Sequence, residues 1–427
     1  MLKRICILFV FILTSNLIGQ DLLSKALEAF GKNQFQQAQI SINSYLQKHP
    51  QDAMAFNWLG QIQLAMQNFP QAVDAFNQAH KLSPDDASIT LNLAHALEKN
   101  GQTSEAIQLL KTLSASDNLA FVVKQLLASL YFDQGQYDQA FTIYQRLAEK
   151  RQENSYYFKQ AGRCALKLTA LPEAETYLQK ALQLNNKDND LYILFFNLYK
   201  NQQKWPQALQ IVQQGLIQFP QDARLLLAAG DSYFAVKKYY QAIAHYQKAR
   251  QQGDSSAYLY KKLGAAYYYA NDYSSALLAL KKSIKKDNKD PISFYFLGLV
   301  QKELSLNDKA IGSFQKAIAL SLPGYLPDVY FHLADAFQKK KQYASAINFY
   351  KKVLETDTTR VMPLFYLATI YDAYYKDRQI PLKYYQKFLE RADASIPERY
   401  KTFALERMEK IREQLHFQKG RKNNKGQ

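Results

Sequence analysis

Residues 51–84 read QDAMAFNWLGQIQLAMQNFPQAVDAFNQAHKLSP, and this stretch decides the fold. Apolar and small residues recur at helical spacing through Phe56, Leu59 and Gly60. They recur again through Ala72, Phe76 and Ala79, with Pro70 between the two runs and Pro84 at the end. Two short amphipathic helices separated by a turn are expected. The stretch is 34 residues long, and its alanine is copied along the chain at that same interval. Alanine stands at 38, 72, 106, 140, 174, 208, 242, 276 and 310. A fixed period in this range marks stacked supersecondary units.

Other positions keep the phase. Twelve residues before each ladder alanine stands a small residue: Ala26, Gly60, Ala94, Ala128, Gly162, Gly230, Gly264 and Gly298, with Phe196 the exception. Four residues after it stands a large one: Ile42, Phe76, Leu110, Tyr144, Leu178, Val212, Tyr246, Leu280 and Phe314. Small residues let two helical backbones approach, and the large ones are expected to fill the space between successive repeats. Pro70, Pro172 and Pro206 lie where a second helix begins, at a position whose missing N–H costs nothing. Phe35, Phe69, Tyr137, Leu171, Trp205, Tyr239 and Tyr273 precede that position and are expected to pin the chain's entry. Pro50, Pro84 and Pro220 close repeats, each followed within two residues by Asp.

These residues resemble the tetratricopeptide-repeat (TPR) pattern. Residues 51–84 match it best, departing at Gln63 where the family prefers Tyr. The resemblance implies an all-α, right-handed superhelical solenoid of about eleven helix-turn-helix repeats with a C-terminal capping helix. Nine regular repeats occupy 21–324. Two looser ones occupy 325–393, because Ala346 follows Ala310 by 36 residues and Pro381 or Leu382 takes the last ladder place. The two extra residues are expected within Leu322–Pro327. Tyr400, Ala404, Met408, Ile411 and Leu415 give 394–417 a helical stripe suited to capping, and 418–427 form a basic tail expected to be disordered.

The first twenty residues differ. Lys3 and Arg4 precede an apolar run from Ile5 to Leu13, then polar residues and Gly19-Gln20. This is the order of a signal peptide cleaved near residues 19–20, with an uncleaved anchor as the competing reading. An exported chain, periplasmic or envelope-associated, is therefore expected. Without the leader, Cys164 is the only cysteine, so no internal disulfide forms and packing must supply stability. Its place beside core positions predicts a buried, inert thiol.

The formal charge is +17, unevenly placed. Residues 21–222 hold 17 Lys+Arg against 18 Asp+Glu, whereas 223–427 hold 35 against 19. Of 31 tyrosines, 22 follow residue 222. A basic, tyrosine-rich half suits an acidic partner or an anionic glycan; nucleic acid does not fit an export signal. The resemblance places the concave groove at the second, fifth, ninth and twelfth positions of each first helix. Carried onto this chain, it nominates Tyr258, Lys261, Tyr268, Tyr295, Phe331 and Asp335, with Lys262 and His332 adjacent. Cations among aromatics suit a peptide or a sugar.

The Lys/Asn clamp by which some TPR domains grip chaperone C-termini is not reproduced from either Lys159 or Asn57. Nor do the six histidines show metal-ligand spacing, and no nucleophile or phosphate-loop motif occurs. No catalytic residue, metal or cofactor is expected. The function expected is an exported scaffold binding proteins or peptides, with membrane association through partners. The alternative is a subunit of an export or envelope-assembly system that binds acidic polysaccharide.

Overall fold

The computed structural model describes residues 21–113, 117–320 and 326–423. The expected leader, residues 322–325 of the insertion and the last four residues lie outside them. Every regular element among the described residues is an α-helix. The chain divides into two compact units, Met1–Gln202 and Gln203–Gln427.

In the N-terminal unit, α1 (residues 21–31) pairs with α2 (Phe35–Leu46), and α3 (Ala53–Ala65) with α4 (Phe69–Leu82). There follow α5 (Ala87–Lys99) with α6 (Thr103–Thr112), α7 (Asp117–Asp133) with α8 (Tyr137–Lys150), α9 (Ser155–Lys167) with α10 (Leu171–Leu184), and α11 (Asn189–Asn201). The C-terminal unit opens with α12 (Trp205–Gln218). Its pairs are α13 (Ala223–Ala235) with α14 (Tyr239–Gln251), α15 (Ala257–Tyr269) with α16 (Tyr273–Lys286), α17 (Pro291–Glu303) with α18 (Asn307–Leu320), α19 (Leu326–Lys339) with α20 (Tyr343–Thr356), and α21 (Met362–Tyr374) with α22 (Gln379–Arg391). Within each unit helices pack on their neighbours in sequence, and most successive first helices also touch. The last helix, α23, runs Glu398–Asn423, starting later than residue 394 and continuing past 417.

The ladder alanines from Ala38 to Ala310, and Ala346 after them, are all wholly buried. The large residues four along do not simply fill space between repeats, as the sequence suggested. Each glycine is covered by the large residue of its own repeat. A Cβ on Gly60 would stand 2.6 Å from the Phe76 ring, one on Gly230 2.4 Å from Tyr246, and one on Gly298 2.6 Å from Phe314. The missing methyl lets the ring lie flat across the partner helix. Some rings then reach further, as Phe314 does to His332 in the next repeat, 6.2 Å between centroids.

Both ends of each helix pair are set locally. First helices are N-capped by Asp52, Asp86, Asn154, Asp188, Asp222, Ser256 and Asp290, whose side chains accept backbone N–H bonds. Pro70, Pro172 and Pro206 occupy the first turn of second helices. The aromatic at the start of that turn packs on the end of the preceding helix, as in Phe132–Tyr137 (5.2 Å) and Phe234–Tyr239 (5.6 Å).

The turn between the two helices carries a second ladder. Residues 33, 67, 101, 135, 169, 203, 237, 271 and 305, and then Lys341, all have positive φ. Only Gly101 and Gly135 among these are glycine. The conformation closes a Schellman-type cap: the Ala170 N–H reaches back to the Ala165 carbonyl at 2.9 Å. Thr169, β-branched at φ 58°, carries the greatest strain.

At the C-terminal end, α23 buries Ala404, Met408 and Ile411 against Leu364, Phe365, Tyr385 and Phe388. Asp372 of α21 ties it down, accepting from Arg407 at 2.7 Å and pairing with Arg378 at 3.1 Å. Pro381 is the buried residue at the last ladder place, and Leu382 is half-buried.

Two stability changes follow. Thr169→Gly relieves a left-handed β-branched residue and should raise the unfolding free energy by about 1 kcal/mol. Gly230→Ala pushes a methyl into Tyr246 and should lower it by about 1–3 kcal/mol. Urea unfolding of the full chain checks both; equal midpoints for wild type and Gly230→Ala would contradict the close-approach account.

Candidate functional site

In the C-terminal unit, successive first helices present the nominated residues on one face. All but Tyr268 fall into two clusters. The first centres on Asp231 of α13, which the sequence reading passed over. Its carboxylate is buried and accepts from the Tyr246 hydroxyl at 2.7 Å and the Tyr258 hydroxyl at 2.6 Å. The Lys262 ammonium lies 3.4 Å away. Lys261 pairs instead with Asp290 at 3.3 Å, the residue that caps α17 through Ser293. Both ammoniums also lie over the Tyr258 ring, at 5.6 and 5.2 Å. Burial, then the Asp231 charge, holds the Tyr246 and Tyr258 hydroxyls far above the usual phenol range. They are permanent donors to that carboxylate.

The second cluster centres on Lys302 of α17, also outside the nominated set. Its ammonium donates to Asp335 at 3.0 Å and sits 3.4 Å from Nδ1 of His332. Burial first, then Lys302, depresses His332 to about 4. The imidazole is therefore neutral at neutral pH, with Nδ1 accepting from the ammonium. Around it pack Tyr295 (5.8 Å to the His332 ring) and Phe331 (5.6 Å). Phe331 continues to Tyr350 and Tyr366, both at 5.8 Å. Tyr268 belongs to neither cluster; its ring meets Tyr273 and Phe296, each at 6.0 Å, and burial pushes its hydroxyl up to about 12.

All eight nominated residues are thus on successive first helices, but their chemistry differs from the sequence picture. Lys261 and Lys262 are not free cations: their side chains are 19% and 26% exposed and each faces a carboxylate. Tyr295 is nearly buried. The two residues missed, Asp231 and Lys302, stand at the ninth and twelfth positions of their first helices. The phase rule already named those places, so the signal was present.

Elsewhere, Cys164 is wholly buried and burial pushes its thiol up to about 12, which leaves no thiolate at neutral pH. Among the described residues, no group of three or more His, Cys, Asp or Glu could hold a metal ion. Nor is any helix among them long and apolar enough to cross a membrane.

Comparison with known proteins gives consistent matches. Residues 15–157 match the TPR domain of cytochrome c-type biogenesis protein H. Tetratricopeptide-repeat models match residues 126–189 and 261–325, 165–230, and 327–359. A TPR repeat-containing protein of Methanocaldococcus jannaschii is 26% identical over 315 residues, 67% of this chain and 53% of the relative. The chain therefore spans about half the length of that curated relative. Among solved structures, the APC/C hetero-tetramer Cut9-Hcn1 is similar at 15% identity and TM-score 0.42, covering 92% of this chain and 96% of that one. The PilF protein of Pseudomonas aeruginosa is similar at 21% identity and TM-score 0.44, covering 52% and 100%.

The depressed histidine predicts a pH effect with a definite sign. Between pH 6.5, the ordinary value, and about 4, the unfolded chain binds a proton at His332 that the folded chain refuses. Stability from this group is complete above that window and falls as pH drops through it, by roughly 3 kcal/mol at most. His332→Gln should therefore lose less stability than wild type between pH 7 and pH 4.5 in urea titrations. Equal losses would contradict the burial of a neutral imidazole.

Proposed function

Because the chain belongs to the tetratricopeptide-repeat family, we propose that it is a scaffold in the cell envelope, holding protein or peptide partners on the face made by its successive first helices. The family fold implies binding to other proteins or peptides, and TPR proteins are in general scaffolds rather than enzymes. The envelope setting is supported by the N-terminal order of basic residues, apolar run and small residue.

One observation carries the choice of surface. In the C-terminal unit the first-helix side chains are fixed by bonds between repeats: Tyr258 to Asp231, Lys261 to Asp290 and Lys302 to Asp335. A face whose side chains are already ordered loses little entropy when a partner docks. The same pairs argue against these lysines as the grip for an acidic polysaccharide, because their charges are locally compensated.

The test places a photo-crosslinking amino acid in the full chain in cells, at Tyr268 on the first-helix face or at Lys282 on a second helix. Discrete protein adducts are expected from position 268 and not from 282. Adducts from 282 alone would overturn the choice of face, and adducts to glycan would favour the polysaccharide reading. Fractionation with N-terminal sequencing should find the protein in the envelope, beginning near residue 20.

A further inference from the structure

The positive charge of the C-terminal unit lies on its second helices rather than on the face made by its first helices. Its first helices, α13 to α21, carry 5 Lys+Arg against 5 Asp+Glu, whereas its second helices, α12 to α22, carry 13 against 3. The second helices of the N-terminal unit, α2 to α10, carry 5 against 6. Of the 13 cations, all are exposed except the half-buried Lys352. None forms an ion pair with a carboxylate among the described residues, and Asp308, one of the three acids, is taken by Lys340. Cations that serve solubility alone are interspersed with acids, as on the N-terminal second helices. An uncompensated field of one sign acts on an anionic partner.

Packing holds part of this array in register. Lys282 of α16 lies over the Tyr260 ring at 5.6 Å, Lys316 of α18 over Phe294 at 5.4 Å, and Lys352 of α20 over Tyr330 at 5.7 Å. Each ring comes from the first helix of the same repeat, and cation and ring advance together, by 34 residues and then by 36. Lys248 of α14 stands at the same repeat position. A lysine whose stem is laid on a ring has less freedom to lose when its ammonium meets an anion.

Apolar side chains share these helices. Leu278 of α16 is 63% exposed, and Lys281, Lys282 and Lys285 follow it at helical spacing on one side of the helix. Tyr240 of α14, 74% exposed, and Leu320 of α18, 38% exposed, add large apolar surface on the neighbouring second helices. A leucine set among lysines fits the boundary of an anionic bilayer, where the cations meet lipid phosphates and the apolar side chain enters the acyl region. A polyanion dissolved in water, whether sugar acid or nucleic acid, offers that leucine nothing.

We propose that the second-helix face running from α14 to α20 is a docking surface for a membrane bearing anionic phospholipid headgroups. This goes beyond the scaffold reading and does not rest on it: partners take the first-helix face, and lipid takes the second helices.

The test uses the chain from residue 21, which keeps every described helix and removes the apolar N-terminal run, in co-sedimentation with vesicles. Vesicles of phosphatidylcholine alone are compared with vesicles containing about 30% phosphatidylglycerol. Binding should require the anionic lipid and fall about tenfold or more between about 0.05 and 0.5 M salt. The combined variant Lys281→Gln, Lys282→Gln, Lys285→Gln, Lys286→Gln should weaken it about tenfold or more, and Leu278→Asn about threefold. Both should keep the wild-type urea midpoint, because these positions are exposed. Neutralising Lys419, Arg421, Lys422 and Lys425 near the C-terminus should leave binding within about twofold. Equal binding to both kinds of vesicle, or undiminished binding by the four-lysine variant, would overturn the proposal. So would a loss confined to the C-terminal variant, or an absence of vesicle binding; binding of soluble polygalacturonate in its place would assign the face to an acidic polysaccharide. Neither result touches the partner-binding reading, which the crosslinks from position 268 decide.

Discussion

The structure depends on how closely two antiparallel helices can approach within one repeat. At Gly230 or Gly298 the absence of a Cβ lets Tyr246 or Phe314 lie directly on the partner backbone. The wholly buried ladder alanine one helix along leaves no room for a larger neighbour. Shape complementarity at this contact fixes the separation of the pair, and each pair then offers the next a face to stack on. Where alanine replaces glycine, as at Ala128 beneath Tyr144 and Ala334 beneath Tyr350, the large residue is still buried. The constraint is small against large, and glycine is its extreme case.

Local backbone chemistry makes the approach reproducible. A capping Asp, Asn or Ser begins most first helices, and a left-handed residue ends them. The left-handed ladder is nearly invisible in composition, since Asn33, Gln67, Thr169, Lys237 and Ser305 share a conformation without sharing a residue type. Tertiary packing holds them there against intrinsic preference, at a cost that stacking offsets.

Charge shows the opposite relation. The excess of basic residues after 222 is plain in the sequence, yet it does not describe the first-helix face. Lys261, Lys262 and Lys302 each meet a carboxylate, and the acids concerned lie on neighbouring first helices or caps. The face is polar, ordered and locally compensated. In the N-terminal unit, whose charges nearly cancel, the first helices still carry charge, with Lys159 of α9 paired to Asp188 at 2.6 Å. Net charge by halves therefore predicts neither surface by itself.

The sequence alone determined the helix pairs, their period, their caps and the alanine core, because each depends on residues within one repeat or on recurrence at a fixed interval. Through phase it also assigned the nominated side chains to successive first helices, where they stand. It did not determine which groups on that face are free. That Asp231 would draw in Tyr246, Tyr258 and Lys262, or that His332 would be held neutral beside Lys302, depends on side chains about 15 to 31 residues apart. Only the packing of helices within and between repeats brings such groups within hydrogen-bonding reach, and their protonation and availability are set there by burial and by the nearest opposite charge.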